Sequence, residues 1–189
     1  NGILMIWEAN IMIIPVSVKN QSIDSSGITS DYKAAISEYI WNGFEANAKK
    51  VSIEYTLNEA FGVKELIIKD NGDGINYDEL GTFGAFLASK KNLLSLQIKS
   101  KANKGKGRFS FIAFSSNAEW HTVYKDNNVY KEYDINMSSD KKEVIDCSEP
   151  QLSDRQETGT EVKFTNINTL TAENMGFEII EPALLKDFA

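Results

Sequence analysis

The sequence predicts an α+β fold built on a largely antiparallel sheet. Helical periodicity is concentrated early in the chain, and period-two strand patterns are concentrated late. No linker rich in Pro, Gly or Ser divides the 189 residues, which contain only three prolines. One domain over residues 1–189 is therefore expected, large enough to bury a substantial core.

The elements follow in order. Asn1 to Val18 is mostly apolar, interrupted by Glu8 and Asn10 and stopped by Pro15. It is too short and broken for a membrane span, and it lacks the basic start and small-residue cleavage site of a signal peptide. Residues 1–20 are expected to be an N-terminal strand or a leader partly derived from a vector. The alternative is an arm that pairs two copies into a homodimer. Asp31 to Lys49 reads as a helix capped by Ser30 or Asp31, with Ala35, Ile36, Tyr39, Ile40 and Gly43 as its packed stripe. Val51, Ile53, Tyr55 and Leu57 alternate as a half-buried strand, and Glu65 to Lys69 is a second one. Asp78 to Ser89 reads as a helix, and Phe109 to Ser115 as a short one. Glu119–Lys125 and Val129–Asn136 flank Asp126-Asn127-Asn128, a hairpin signal. Glu143–Cys147 and Glu161–Thr165 complete the strands.

Composition narrows the chemistry. One cysteine, Cys147, excludes an internal disulfide and a cysteine-cluster metal site. One histidine, His121, excludes multi-histidine zinc chemistry. A reduced, cytoplasmic setting fits this usage. The net charge of −7 argues against a protein coated by nucleic acid. Against that background, Lys90 to Arg108 holds seven cationic residues and no acidic one.

Four local patterns bear on function. Glu38, Asn42 and Glu45 recur at helical spacing and share an arc of roughly 60° on one face. A surface helix offers such a stripe routinely, but a carboxylate there can orient water, and an amide oxygen one turn later can ligate Mg²⁺. Asp70-Asn71-Gly72-Asp73-Gly74 ends a strand in a dense turn signal, where glycines let backbone approach a ligand. Gly105-Lys106-Gly107-Arg108 precedes a predicted helix, as an anion-binding loop does, although the Walker A spacing is absent. Gly159-Thr160 enters a late strand with a hydroxyl able to donate or accept.

Together these four elements resemble the GHKL ATPases, the family of gyrase B, the heat-shock-ninety chaperones, MutL and histidine kinases. Glu38-Tyr39-Ile40-Trp41-Asn42-Gly43-Phe44-Glu45-Ala46 matches the family pattern Glu-x-x-x-Asn-x-x-Asp-Ala, with Glu45 in place of the usual aspartate. Asp70, Gly72 and Gly74 match its first glycine box, and Gly105, Lys106, Gly107 and Arg108 resemble its second, in a short form similar to MutL-like and MORC-like members. Thr160 resembles the threonine that contacts adenine. The likeness covers roughly Asp31 to Thr165.

The resemblance implies a Bergerat-type two-layer α/β sandwich, with a mixed, largely antiparallel sheet covered by helices on one face. It implies ATP and Mg²⁺ as ligands. Asp70 and Thr160 would hold adenine, with Gly72 and Gly74 beside them. Asn42 would ligate Mg²⁺, with Glu45 nearby. Gly105, Lys106, Gly107 and Arg108 would wrap the phosphates at the base of a lid spanning residues 90–108. Glu38 would position the attacking water. Slow ATP hydrolysis driving a conformational switch is the function expected, with a non-hydrolysing switch or a nucleic-acid-acting module as alternatives. Active relatives usually receive a lysine from a following domain, so the chain is expected to be a fragment of a longer protein.

Overall fold

The computed structural model describes residues 11–15, 29–80, 107–142, 144–175 and 181–182. Its strands are β1 (Ile11–Pro15), β2 (Val51–Leu57), β3 (Val63–Asp70), β4 (Ser115–Asp126), β5 (Val129–Ser138), β6 (Val144–Ser148), β7 (Gln151–Leu152) and β8 (Gly159–Ile167). Helix α1 spans Tyr32–Glu45 and α2 spans Thr169–Asn174. Short 3-10 segments lie at Tyr77–Glu79 and Gly107–Ala113.

The eight strands form one sheet in the order β1-β6-β5-β4-β8-β3-β2, with β7 paired to β5. The resemblance implies a mixed, largely antiparallel sheet, and every pairing among the described residues is antiparallel. The Asn127-Asn128 hairpin joins β4 and β5 with both central residues at positive φ, as a tight hairpin turn requires. Ile11–Pro15 pairs with β6 of its own chain.

Alternation sorts the sheet into two faces. Leu66, Ile68, Trp120, Tyr124, Tyr133, Ile135, Val162 and Phe164 are buried on one of them. Helix α1 covers that face with Ile36, Tyr39 and Ile40, and the 3-10 segment adds Phe109 and Phe111. Each such side chain contributes about 1.5–3 kcal/mol by leaving water. Tyr39 packs edge-on against Phe164 at 4.8 Å, which is where helix and sheet lock together. The opposite face carries cross-strand charge pairs. Lys69 bridges Glu54 at 3.1 Å and Glu161 at 3.4 Å, Lys163 meets Glu119 at 2.7 Å, and His121 meets Asp134 at 2.8 Å. His121 thus serves the sheet surface. Cys147 is buried, and burial pushes its thiol up to about 11, so it is no nucleophile at neutral pH.

Three helical segments differ from the sequence reading. Helix α1 is capped by the Asp31 side chain, which accepts from Lys33 N–H at 2.9 Å, but it ends at Glu45 rather than Lys49. Asn47 adopts φ 64°, and Ala48 N–H reaches back to Gly43 O at 3.0 Å while Asn47 N–H reaches Phe44 O at 3.1 Å. This is a Schellman stop made with asparagine instead of glycine. The segment expected as a helix over Phe109–Ser115 is a 3-10 turn over Gly107–Ala113, and Ser115 already begins β4. The helix expected over Asp78–Ser89 opens as a 3-10 turn at Tyr77–Glu79, and 81–89 lie outside the described residues. Trp120 joins the core, whereas Trp41 is only half-buried.

Candidate functional site

The site grows from the junction of α1 with the end of β3. Asp70 is the last residue of β3 and points to the helix-covered face, in phase with Leu66 and Ile68. At Gly43 the helix presses on this point: a side-chain carbon there would lie 3.0 Å from Asp70 Cβ and 3.0 Å from Val51. Glycine in the helix interior costs about 0.5–1 kcal/mol; here it permits the approach.

The turn after Asp70 is welded to the helix end. Asp73 N–H donates to Ala46 O at 2.8 Å, and the Asn47 amide donates to the Asp73 carboxylate. The Asn71 side-chain oxygen accepts from the backbone N–H groups of Lys49 and Lys50 at 2.9 and 2.8 Å. Farther along, Gly74 takes φ 74°, and a side-chain carbon there would fall 2.1 Å from Val123 O. Ile75 is held on both sides of its backbone: its N–H donates to Thr122 Oγ1 at 2.9 Å, and its carbonyl accepts from the Tyr133 hydroxyl at 3.0 Å.

Asp70 belongs to a polar row across the sheet. Register sets it opposite Thr160 on β8, and sets Thr160 opposite Thr122 on β4. Its carboxylate accepts from Gly72 N–H at 2.8 Å and from the backbone of Thr160. Burial raises its pKa above the ordinary carboxylate value, while these two donors pull it back.

A second cluster forms along α1. Glu38, Asn42 and Gly107 converge: a carbon added at Gly107 would sit 3.2 Å from Glu38 Oε2 and 3.5 Å from the Asn42 amide nitrogen. The Arg108 carbonyl accepts from the Tyr39 hydroxyl at 2.9 Å, which fixes this segment to the helix. Burial draws the Arg108 guanidinium down to about 10, which leaves it cationic at neutral pH. Glu45 lies at the C-terminal end of α1 and is half-buried. Gly105 and Lys106, with the rest of the expected lid through 106, lie outside the described residues.

The family model of histidine kinase-, DNA gyrase B-, and HSP90-like ATPases matches residues 29–169, from the start of α1 to the start of α2. The chain belongs to this ATPase family. No curated protein matches the sequence. The family match spans both clusters. No described helix is long and apolar enough to cross a membrane.

Two residues beside these clusters escape the sequence reading: Thr122 falls within the strand expected over Glu119–Lys125, and Tyr39 within the packed stripe of the helix. Both are buried, and both aim a hydroxyl at a candidate motif. A polar atom at an inward position of β4 is the signal for Thr122; Tyr39 carries none beyond its phenol.

Proposed function

We propose that this domain binds ATP with Mg²⁺ between helix α1 and the sheet, hydrolyses it slowly, and passes the bound state to a larger protein as a conformational switch. The convergence of Glu38, Asn42 and Gly107 carries the reading. It joins a carboxylate, an amide oxygen and a glycine-rich segment, the three functions that phosphate positioning and water attack require.

In this reading Asp70 accepts from the exocyclic amine of adenine, with Thr160 beside it. Arg108 and the backbone at Gly107 face the phosphates, and Glu38 orients the attacking water. Positioning and charge neutralisation then supply most of the catalysis. Mg²⁺ fits the donor set. Among the described residues no group of three or more His, Cys, Asp or Glu side chains is placed to hold a metal. A single hard oxygen from Asn42, completed by phosphates and water, is the kind of site this ion uses. When bound, the ion would neutralise charge on the phosphate oxygens.

Calorimetry with ATP, ADP and GTP, with and without Mg²⁺, tests the reading together with a phosphate-release assay. Binding of ATP that strengthens with Mg²⁺, with measurable turnover, is expected. Absence of adenine-nucleotide binding overturns it. Binding with no turnover would favour the non-hydrolysing switch. The seven cationic residues of Lys90 to Arg108 keep the nucleic-acid reading open. It requires tight binding at physiological salt, whereas a solvated basic segment gives weak binding that falls steeply with salt.

A further inference from the structure

Thr122 lies outside every motif that marks the family, yet it is fully buried at 0% exposure and makes three polar contacts. Its neighbour across the strands is Thr160, whose own opposite neighbour on β3 is Asp70. A threonine hydroxyl has one proton and two lone pairs. Ile75 N–H donates into Thr122 Oγ1 at 2.9 Å. Two further oxygens are within reach: Gly159 O at 3.3 Å and Thr160 Oγ1 at 3.1 Å.

The direction of the protons follows from counting. The Gly159 carbonyl has no proton to give, so that contact is a hydrogen bond only when Thr122 donates to it. Thr122 then has one lone pair left, and Thr160 must donate into it. The opposite arrangement, with Thr122 donating to Thr160, leaves the Gly159 contact without a proton. Of the two arrangements only the first gives every contact a proton, and it alone uses the proton and both lone pairs of the fully buried Thr122 hydroxyl, as buried polar groups require.

We infer that Thr122 is a positioning residue that turns the Thr160 proton away from the proposed nucleotide site, so that Thr160 offers only lone pairs to a bound base and discriminates adenine from guanine. The inference rests on the adenine reading of Asp70 proposed above. The ionised Asp70 carboxylate is also an acceptor only. Two acceptors side by side on one face of a strand pair match an amino group, which has two N–H bonds. Guanine carries a carbonyl oxygen at that ring position and would meet two acceptors. A Thr160 hydroxyl free to rotate could donate to that carbonyl, and the filter would weaken.

The test is the ratio of ATP to GTP affinity, measured by calorimetry on the parent domain, Thr122→Val and Thr122→Ser. Valine preserves the shape and removes the hydroxyl; serine keeps it. We expect Thr122→Val to lower the ATP preference by about tenfold, the scale of one hydrogen bond. Thr122→Ser should restore most of it. Loss of the Ile75 partner alone would loosen the turn and weaken both nucleotides together, leaving the ratio unchanged. An unchanged ratio in Thr122→Val overturns the inference while the parent's ATP preference stands. So does a serine variant that loses as much preference as the valine variant. A parent with no preference for ATP defeats the adenine reading and this inference with it. Where Thr122→Val does not fold, Thr122→Cys, with a weaker donor and acceptor of similar bulk, gives the same ratio to read.

Discussion

The Tyr39 hydroxyl donates to the carbonyl oxygen of Arg108 at 2.9 Å and accepts from Phe111 N–H at 3.3 Å. Tyr39 follows Glu38 directly, so one turn of α1 both presents the proposed water-orienting carboxylate and holds the segment that faces it. Burial raises the phenol pKa far above its ordinary value, which keeps the proton on the oxygen that donates it. Tyr39→Phe removes the hydroxyl and leaves the ring contacts with Phe164 intact. The variant should lose about 1–3 kcal/mol in urea denaturation, because the buried Phe111 N–H loses this acceptor. Its turnover should fall more than its ATP affinity, since the Gly107 segment loses its tie to Glu38. Stability and turnover both at parent values would show that the hydroxyl positions nothing.

Asp70 should link nucleotide binding to pH. Burial raises its pKa in the empty domain above the value in the unfolded chain. The stability this group contributes is therefore fully present below the unfolded pKa and is lost as pH rises through the raised folded value. Binding runs the other way, because an amine donor needs the ionised carboxylate. Adenosine affinity should fall as pH is lowered through the raised value, starting above the ordinary carboxylate range. Adenosine is the probe of choice because it has no phosphates to titrate. NMR titrations at a series of pH values read the effect, and Asp70→Asn should bind weakly with no such slope. A parent affinity flat across that range would remove Asp70 from the base contact.

The sequence disclosed the site's motifs because each is contiguous. Glu38 to Ala46 occupies two turns of one helix, and Asp70 to Gly74 is a single turn whose glycines advertise a close approach. The strand order was less accessible. Nothing local says that β8 inserts between β3 and β4, and that insertion is what puts Thr160 between Asp70 and Thr122. Tyr39 and Thr122 look like ordinary core positions because their partners lie far along the chain. Helix α1 stops short of the expected Lys49 for a local reason: Asn47 enters the left-handed region without the glycine that usually signals it. The two-residue strand β7 has no pattern long enough to read.

Glu38 and Asn42 sit one turn apart and should fail differently. Glu38→Ala removes a group proposed to act on water rather than on the resting nucleotide. Turnover should drop by about a hundredfold or more, the scale of general-base contributions, with ATP affinity nearly unchanged. Asn42→Ala should weaken ATP binding in the presence of Mg²⁺ and change it little in excess chelator. Single-turnover phosphate release and calorimetry separate the two effects. A Glu38→Ala variant that hydrolyses ATP at the parent rate sinks the catalytic assignment. An Asn42→Ala variant whose affinity loss persists equally without Mg²⁺ sinks the metal-ligand assignment.

Gly74 gives the sharpest test of the turn itself. Its φ of 74° lies in the left-handed region, and a side-chain carbon would sit 2.1 Å from Val123 O and 2.8 Å from Val123 C. Both obstacles are backbone of a central strand, so neither can swing aside. Two costs then fall on Gly74→Ala. The dihedral itself is worth roughly 1–3 kcal/mol in a residue with a β-carbon. Relieving the clash must displace the turn from β4, which strains the bond from Ile75 N–H to Thr122 and the bond from the Tyr133 hydroxyl to Ile75 O. The variant should lose about 3 kcal/mol or more in chemical denaturation, at the upper end for a single substitution. ATP binding by the surviving folded fraction should weaken as well, because Asp70 lies four residues before the displaced glycine. Asn71→Ala provides the contrast: it removes the acceptor of the Lys49 and Lys50 N–H groups in exposed backbone, and should cost only about 1 kcal/mol. A Gly74→Ala domain as stable as Asn71→Ala would mean that the turn does not press on Val123 as described.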